Sequence, residues 1–178
     1  MDFNRLRQGE LIAAGSAVLL LIVMFVFTWF SLGGAEGDAA QAYGFDTGVN
    51  AWQSFSWIDI VLFITILAAV GLAVLSASAQ SDNLPVAPSA AVTVLGGLST
   101  LLILFRIISP PGGDAPAGFD FTVSRGIGVF LGLILAAGIA IGGWMAMQEE
   151  GVSFQGEADR FGGGGGTPPP PPPPPPNA

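Results

Sequence analysis

The sequence predicts an all-α fold: a polytopic membrane protein with four transmembrane helices in an antiparallel bundle and a disordered C-terminal tail. Three observations predict it. First, the 178 residues are 51% hydrophobic and only 10% charged, against about 25% charged in an ordinary soluble domain. So few charges cannot cover a water-facing surface, and mean hydropathy is +0.66. Second, the apolar residues are clustered into four runs, 11–32, 58–79, 90–108 and 127–147. Each has about the ~20 residues that cross a bilayer as helix. Third, Asp59 and Arg106 are the only charges inside these runs, and both sit at an edge. Residues 1–150 thus read as one transmembrane domain, and 151–178 as an acidic, Gly-rich and Pro-rich tail.

The first run follows Arg5 and Arg7, as a secretion signal would. Signal-peptide cores are ~7–15 residues long and end in small residues, whereas this run is longer and ends in the bulky FVFTWF. It is expected to stay as a span. Loop 33–57 begins flexible and ends aromatic, and Asn50 is placed to cap a helix leading into span two. Loop 80–88 is tight, and Pro88 suits the first turn of span three, where a missing N–H costs nothing. Loop 109–123, rich in Pro and Gly, reads as a stiff irregular turn.

Four spans put both termini on one side. Arg5, Arg7 and Arg160 then share that side, and Arg106 and Arg125 flank the other. Cytoplasmic loops carry the excess of positive charge, so the expected location is a bacterial cytoplasmic membrane with both termini in the cytoplasm. Trp29, Trp52 and Trp57 should then lie at the outer interface, and Trp144 at the inner one, because amphipathic rings favour that zone.

Lipid tails are as apolar as Leu, so spans adhere through small residues that allow close backbone approach. Span four carries Gly128, Gly132, Ala136 and Ala140 at a spacing of four, with Gly138 and Gly142 beside them. Ala13 and Ala17, Ala69, Ala73 and Ala77, and Ser89, Thr93 and Gly97 are the counterparts on spans one to three. They cluster toward the cytoplasmic ends, so the bundle should be tight there and wider outside. The ladder on span four serves either packing within the bundle or a homo-oligomer interface.

Asp59 and Arg106 carry the sharpest chemical suggestion. Counting from the loop at 80–88, Asp59 stands ~31 Å up span two and Arg106 ~27 Å up span three at 1.5 Å per residue. Matched depth suggests an intramembrane ion pair, since pairing is how membranes tolerate such charges. Either the pair only fixes helix register, with snorkelling as the other structural use of Arg106, or it lines a polar vestibule for an anion or protons. Arg125 begins span four on the same side and could join it.

Other chemistry is thin. The chain has no His and no Cys, which excludes imidazole acid–base work, thiol catalysis, disulfides and Cys/His zinc sites. Asp114 and Asp120 read as solvated loop acids, not an EF-hand. GIG at 126–128 lacks the strand and third glycine of a nucleotide loop. Net charge is −8 and the five basic residues are dispersed, so no nucleic-acid surface is expected. No catalytic residue, cofactor or metal ligand is expected.

The tail ends in five glycines, Thr167 and nine prolines. Nine prolines form a polyproline II rod of ~28 Å at ~3.1 Å per residue, a shape that docks on aromatic-lined grooves of protein partners. The tail is either such a ligand or low-complexity drift. NAWQSFSWIDIVL and GIGVFLGLILAAGIAIGGWMAMQEEG resemble segments of uncharacterised four-span membrane proteins of high-GC, actinobacterial-type bacteria. The resemblance covers roughly 10–150 and implies the span count but no activity. Claudin-like tetraspans share that count but carry a Trp-and-Cys signature that this chain lacks. The expected function is that of a non-enzymatic scaffold or envelope component with the lipid bilayer around it and a tail open to partners. The alternative is a small transport or channel subunit using Asp59 and Arg106.

Overall fold

Helix α1 (Gln8–Val26) stops six residues short of the end of the first apolar run, and that early stop shapes one end of the molecule. The computed structural model describes residues 6–54, 57–78, 88–110 and 122–161. After α1 come β1 (Phe30–Gly33), α2 (Ala35–Ala42), β2 (Gly48–Val49), α3 (Ala51–Ser54), α4 (Trp57–Ala77), α5 (Pro88–Ile108), β3 (Thr122–Arg125), α6 (Ile127–Glu149) and α7 (Phe154–Phe161). Among the described residues α1, α4, α5 and α6 are long and apolar enough to cross a membrane.

The four long helices close into a ring. α6 packs against α1 and α5, and α4 closes the ring on the other side of both. Neighbours run in opposite directions: Gly142 of α6 lies on Ala13 and Gly9 of α1, while Gly138, nearer the start of α6, meets Ser16, further along α1. Likewise Gly96 of α5 meets Ala140, and Gly143 meets Thr93. The start of α1 and the end of α6 thus share one end of the bundle.

Glycine decides the closest approaches. A Cβ on Gly142 would stand 2.5 Å from the Ala13 nitrogen and 2.7 Å from the Gly9 oxygen. One on Gly96 would stand 2.6 Å from the Ala140 nitrogen. These neighbours are backbone atoms and cannot swing aside, so α6 touches α1 and α5 main chain to main chain, the geometry small residues permit.

The opposite end is capped by a three-stranded antiparallel sheet in the order β2-β1-β3. Phe30 pairs with Val49 on one side and with Arg125 on the other, and β1–β3 pairing continues to Gly33 opposite Thr122. The cap also stitches chain to helix. Trp29 N–H donates to Val49, Gly126 N–H donates to Trp29 and Gly128 N–H donates to Thr28. Segment 33–57, expected to begin as a flexible loop, therefore holds α2, β2 and α3. Asn50 caps α3 reciprocally: Gln53 N–H donates to Asn50 Oδ1, and Asn50 N–H donates to Gln53 Oε1. Pro88 opens α5 as its first residue.

Two further expectations are corrected. Trp29 does not face outward from the bundle: it is fully buried. Its ring fills the hollow over Gly128 and Gly132, and Nε1–H donates to the Val23 carbonyl at 3.0 Å. A carbonyl in the last turn of α1, which also accepts the Phe27 N–H, and two missing side chains on α6 draw the ring inward. Trp52, Trp57 and Trp144, by contrast, are exposed. Nor does the tail leave the bundle at Gly151. Gly151 turns the chain at φ +70°, Val152 packs on Ala90 and Met147, and α7 follows. The glycine and proline runs at 162–176 lie outside the described residues, as do the tight loop and Asp114 and Asp120.

Candidate functional site

Polar groups inside an apolar bundle are costly unless satisfied, so the seam between α4 and α5 is the place to look. At its middle Thr65 and Ser99, both fully buried, share a hydrogen bond of 2.8 Å. Thr65 also donates to the Val61 carbonyl at 2.8 Å. This contact sets the antiparallel register. Six residues back along α4 is Asp59, and seven residues onward along α5 is Arg106. Both lie ~9–11 Å along their helices from the Thr65–Ser99 contact, toward the sheet-capped end, at 1.5 Å per residue.

Asp59 is 2% exposed. Arg106 is half-buried, and its guanidinium is the charge that acts on the Asp59 carboxyl. Asp59 Oδ1 is buried and accepts no hydrogen bond. Arg106 stands in the last turn of α5, where a cation also meets the partial negative charge of the helix end. Arg125 sits nearby in β3 and is exposed; its Nε–H donates to the Ile107 carbonyl at 2.6 Å. Arg125 thus reaches the residue next to Arg106 and ties the sheet to the end of α5.

The other end of the bundle holds two carboxylates that sequence reasoning passed over. Glu10 is 2% exposed. Its Oε2 accepts the Arg7 backbone N–H at 3.0 Å and its Oε1 accepts the Ser76 hydroxyl at 2.5 Å. Ser89, fully buried, donates to Glu150 Oε2. These contacts join α1 to α4, and α5 to the end of α6. Their signal was present: an acid at each outer edge of spans one and four, facing a serine at the edge of a neighbouring span.

The small residues of α6 are divided among three neighbours. Gly128 and Gly132 take the Trp29 ring, Gly138 and Gly142 face α1, and Ala140 and Gly143 face α5. Ala136 is fully buried between them. Among the described residues no three carboxylates gather as a metal site would require. Outside the seam, Trp52 stacks on Phe25 at 5.4 Å and meets the edge of Phe63 at 5.9 Å, bridging α1, α3 and α4 on the exposed side of the bundle. No protein-family model, curated protein or solved structure matches the chain.

Proposed function

We propose that the chain is a non-enzymatic integral membrane protein of a bacterial cytoplasmic membrane, a scaffold or envelope component with both termini in the cytoplasm and a tail available to a protein partner. The observation that carries this reading is the way α6 is used. Its glycines and alanines lie directly on the backbones of α1 and α5 and under Trp29. Close packing of this kind rigidifies a bundle and supports a platform, whereas a conduit needs room. The same contacts occupy the ladder that a homo-oligomer through span four would use, so any self-association is assigned to another face. The run of nine prolines after five glycines is the sequence feature that supports a docking tail.

The test compares the full chain with one ending at residue 161, both purified in mild detergent from the membrane fraction after an alkaline carbonate wash. Retention through the wash supports membrane embedding. Partners that co-purify with the full chain and are lost on truncation support the scaffold reading. An identical set for both chains overturns the role of the tail.

A second reading, a small transport or channel subunit, is favoured by one observation: the unsatisfied Oδ1 of Asp59 beside Arg106. Ion flux in vesicles carrying the protein, lost in Asp59→Asn, would support it. Vesicles no leakier than protein-free ones would exclude it.

A further inference from the structure

Among the described residues, two carboxyl groups are equally withdrawn from solvent, Glu10 and Asp59, each 2% exposed. They are seated differently. Glu10 has a donor on each oxygen, Arg7 N–H and Ser76 O–H, so neither oxygen is left unmet. Asp59 has a buried oxygen, Oδ1, with no donor at all. Leaving a buried acceptor unmet costs ~1–3 kcal/mol, more for a charged group, so the seat is poorly built for a carboxylate that never changes state.

The surroundings offer few ways to fill the gap. α4 packs on α1 and α5. α5 brings Arg106, the charge that acts on Asp59. β3 brings Arg125, whose Nε–H is committed to the Ile107 carbonyl. The charged residues of α1 and α6, Glu10, Glu149 and Glu150, stand at the opposite end of the bundle. Among the described residues of the α4–α5 seam, the buried hydroxyls of Thr65 and Ser99 are committed to Val61 and to each other.

We infer that Asp59 is a proton-exchanging site: an anion facing Arg106 in one state, and in the other a neutral acid whose own O–H supplies the hydrogen that Oδ1 lacks. The step adds one proton to the carboxylate, taken from water at the sheet-capped end and returned there, with no other bond made or broken. Arg106 acts as the positioning residue that keeps the anionic state accessible. This goes beyond the scaffold reading and depends on it only in that α4 lies within a bilayer.

The full chain in phosphatidylcholine vesicles is titrated while infrared spectra are taken. On acidification the wild type should gain a carboxylic-acid C=O band that is missing in Asp59→Asn and unchanged in Glu10→Gln. In parallel the wild type is treated with dicyclohexylcarbodiimide, which adds to protonated carboxyls, and the adduct is mapped by mass spectrometry. It should fall on Asp59 and not on Glu10. Arg106→Gln should raise labelling of Asp59 at alkaline pH, where the wild type labels weakly, because an adjacent opposite charge biases a carboxylate toward its charged form by one to three powers of ten. An infrared difference without the acid band, or an Asp59 left unlabelled in the wild type, overturns the inference. The wild-type labelling decides the matter if Asp59→Asn does not fold. Carbonate extraction of the same vesicles separates a failure of the site from a failure of membrane embedding.

Discussion

At the scale of single residues, Asp59 and Arg106 are expected to be energetically coupled. Removing one member of a buried charge pair strands the other, at ~3–5 kcal/mol when burial is complete; with Arg106 half-buried the loss should be smaller. Asp59→Ala and Arg106→Ala should each lower the melting temperature in detergent, and the double variant should lose less than the two losses added. Simple additivity would mean that the two side chains do not interact. Trp29 gives the second prediction. Trp29→Ala should cost ~3–5 kcal/mol, as large-to-small changes in a core do. Trp29→Phe should cost less, losing part of the ring and the bond to Val23, which is worth ~1 kcal/mol. A stability for Trp29→Ala equal to that of the wild type would show that the ring is not part of the core. A common depth for Asp59 and Arg106 can be proposed from the sequence because helix rise converts a residue count into a height. The place of Trp29 was not, because the hollow that receives it is made by absent side chains on α6, far along the chain. A rule about where tryptophans sit in membranes cannot see such a hollow.

At the scale of elements, the four long helices were legible because an uninterrupted apolar run has one common solution in a bilayer. Their ends were less so. Residues 27–32 carry no charge and continue the first apolar run, yet they leave the helix, because Phe30 and its neighbours find strand partners in β2 and β3. Those strands are two to four residues long and rich in Gly, Ser and Thr, so neither run shows the alternation by which a strand is recognised. Within the helices, the structure separates glycines that are spent from glycines that are free. Gly142 has backbone against its missing Cβ, whereas Gly15 has nothing within 4 Å. Gly142→Val should therefore destabilise the bundle by ~1–3 kcal/mol or more, the cost of overpacking. Gly15→Ala should be neutral or gain up to ~1 kcal/mol from helix propensity. Equal melting temperatures for these two variants would mean that α1 and α6 do not touch as described.

At the scale of the whole molecule, a reporter active only outside the cytoplasm, fused after residue 178, should be silent, and a cytoplasmic reporter at the same place should be active. The opposite pattern would invert the orientation proposed from Arg5 and Arg7. Removing residues 162–178 should leave the melting temperature in detergent unchanged, because that stretch brings almost no apolar surface. The reach of the ordered chain beyond Gly151 was not legible from composition. Val152 is one of few apolar residues in an acidic stretch, and its partners Ala90 and Met147 belong to two different spans.

The sheet has a consequence for the order in which the protein is made. β1 meets β2 soon after both leave the ribosome, since only α2 and a short turn separate them. Its other edge stays open until α4 and α5 have been synthesised and β3 emerges behind them. Pairing between distant segments is intrinsically slow, and an open strand edge is a template for wrong pairing. The nascent chain therefore passes through a stage in which three spans are present and one side of β1 is unprotected. The closing events are Gly126 and Gly128 donating to Trp29 and Thr28 and Trp29 settling over α6. Arrival of the last span is thus the moment at which the far face of the protein is sealed, and a ribosome stalled before it should leave a chain that proteases on that face can recognise.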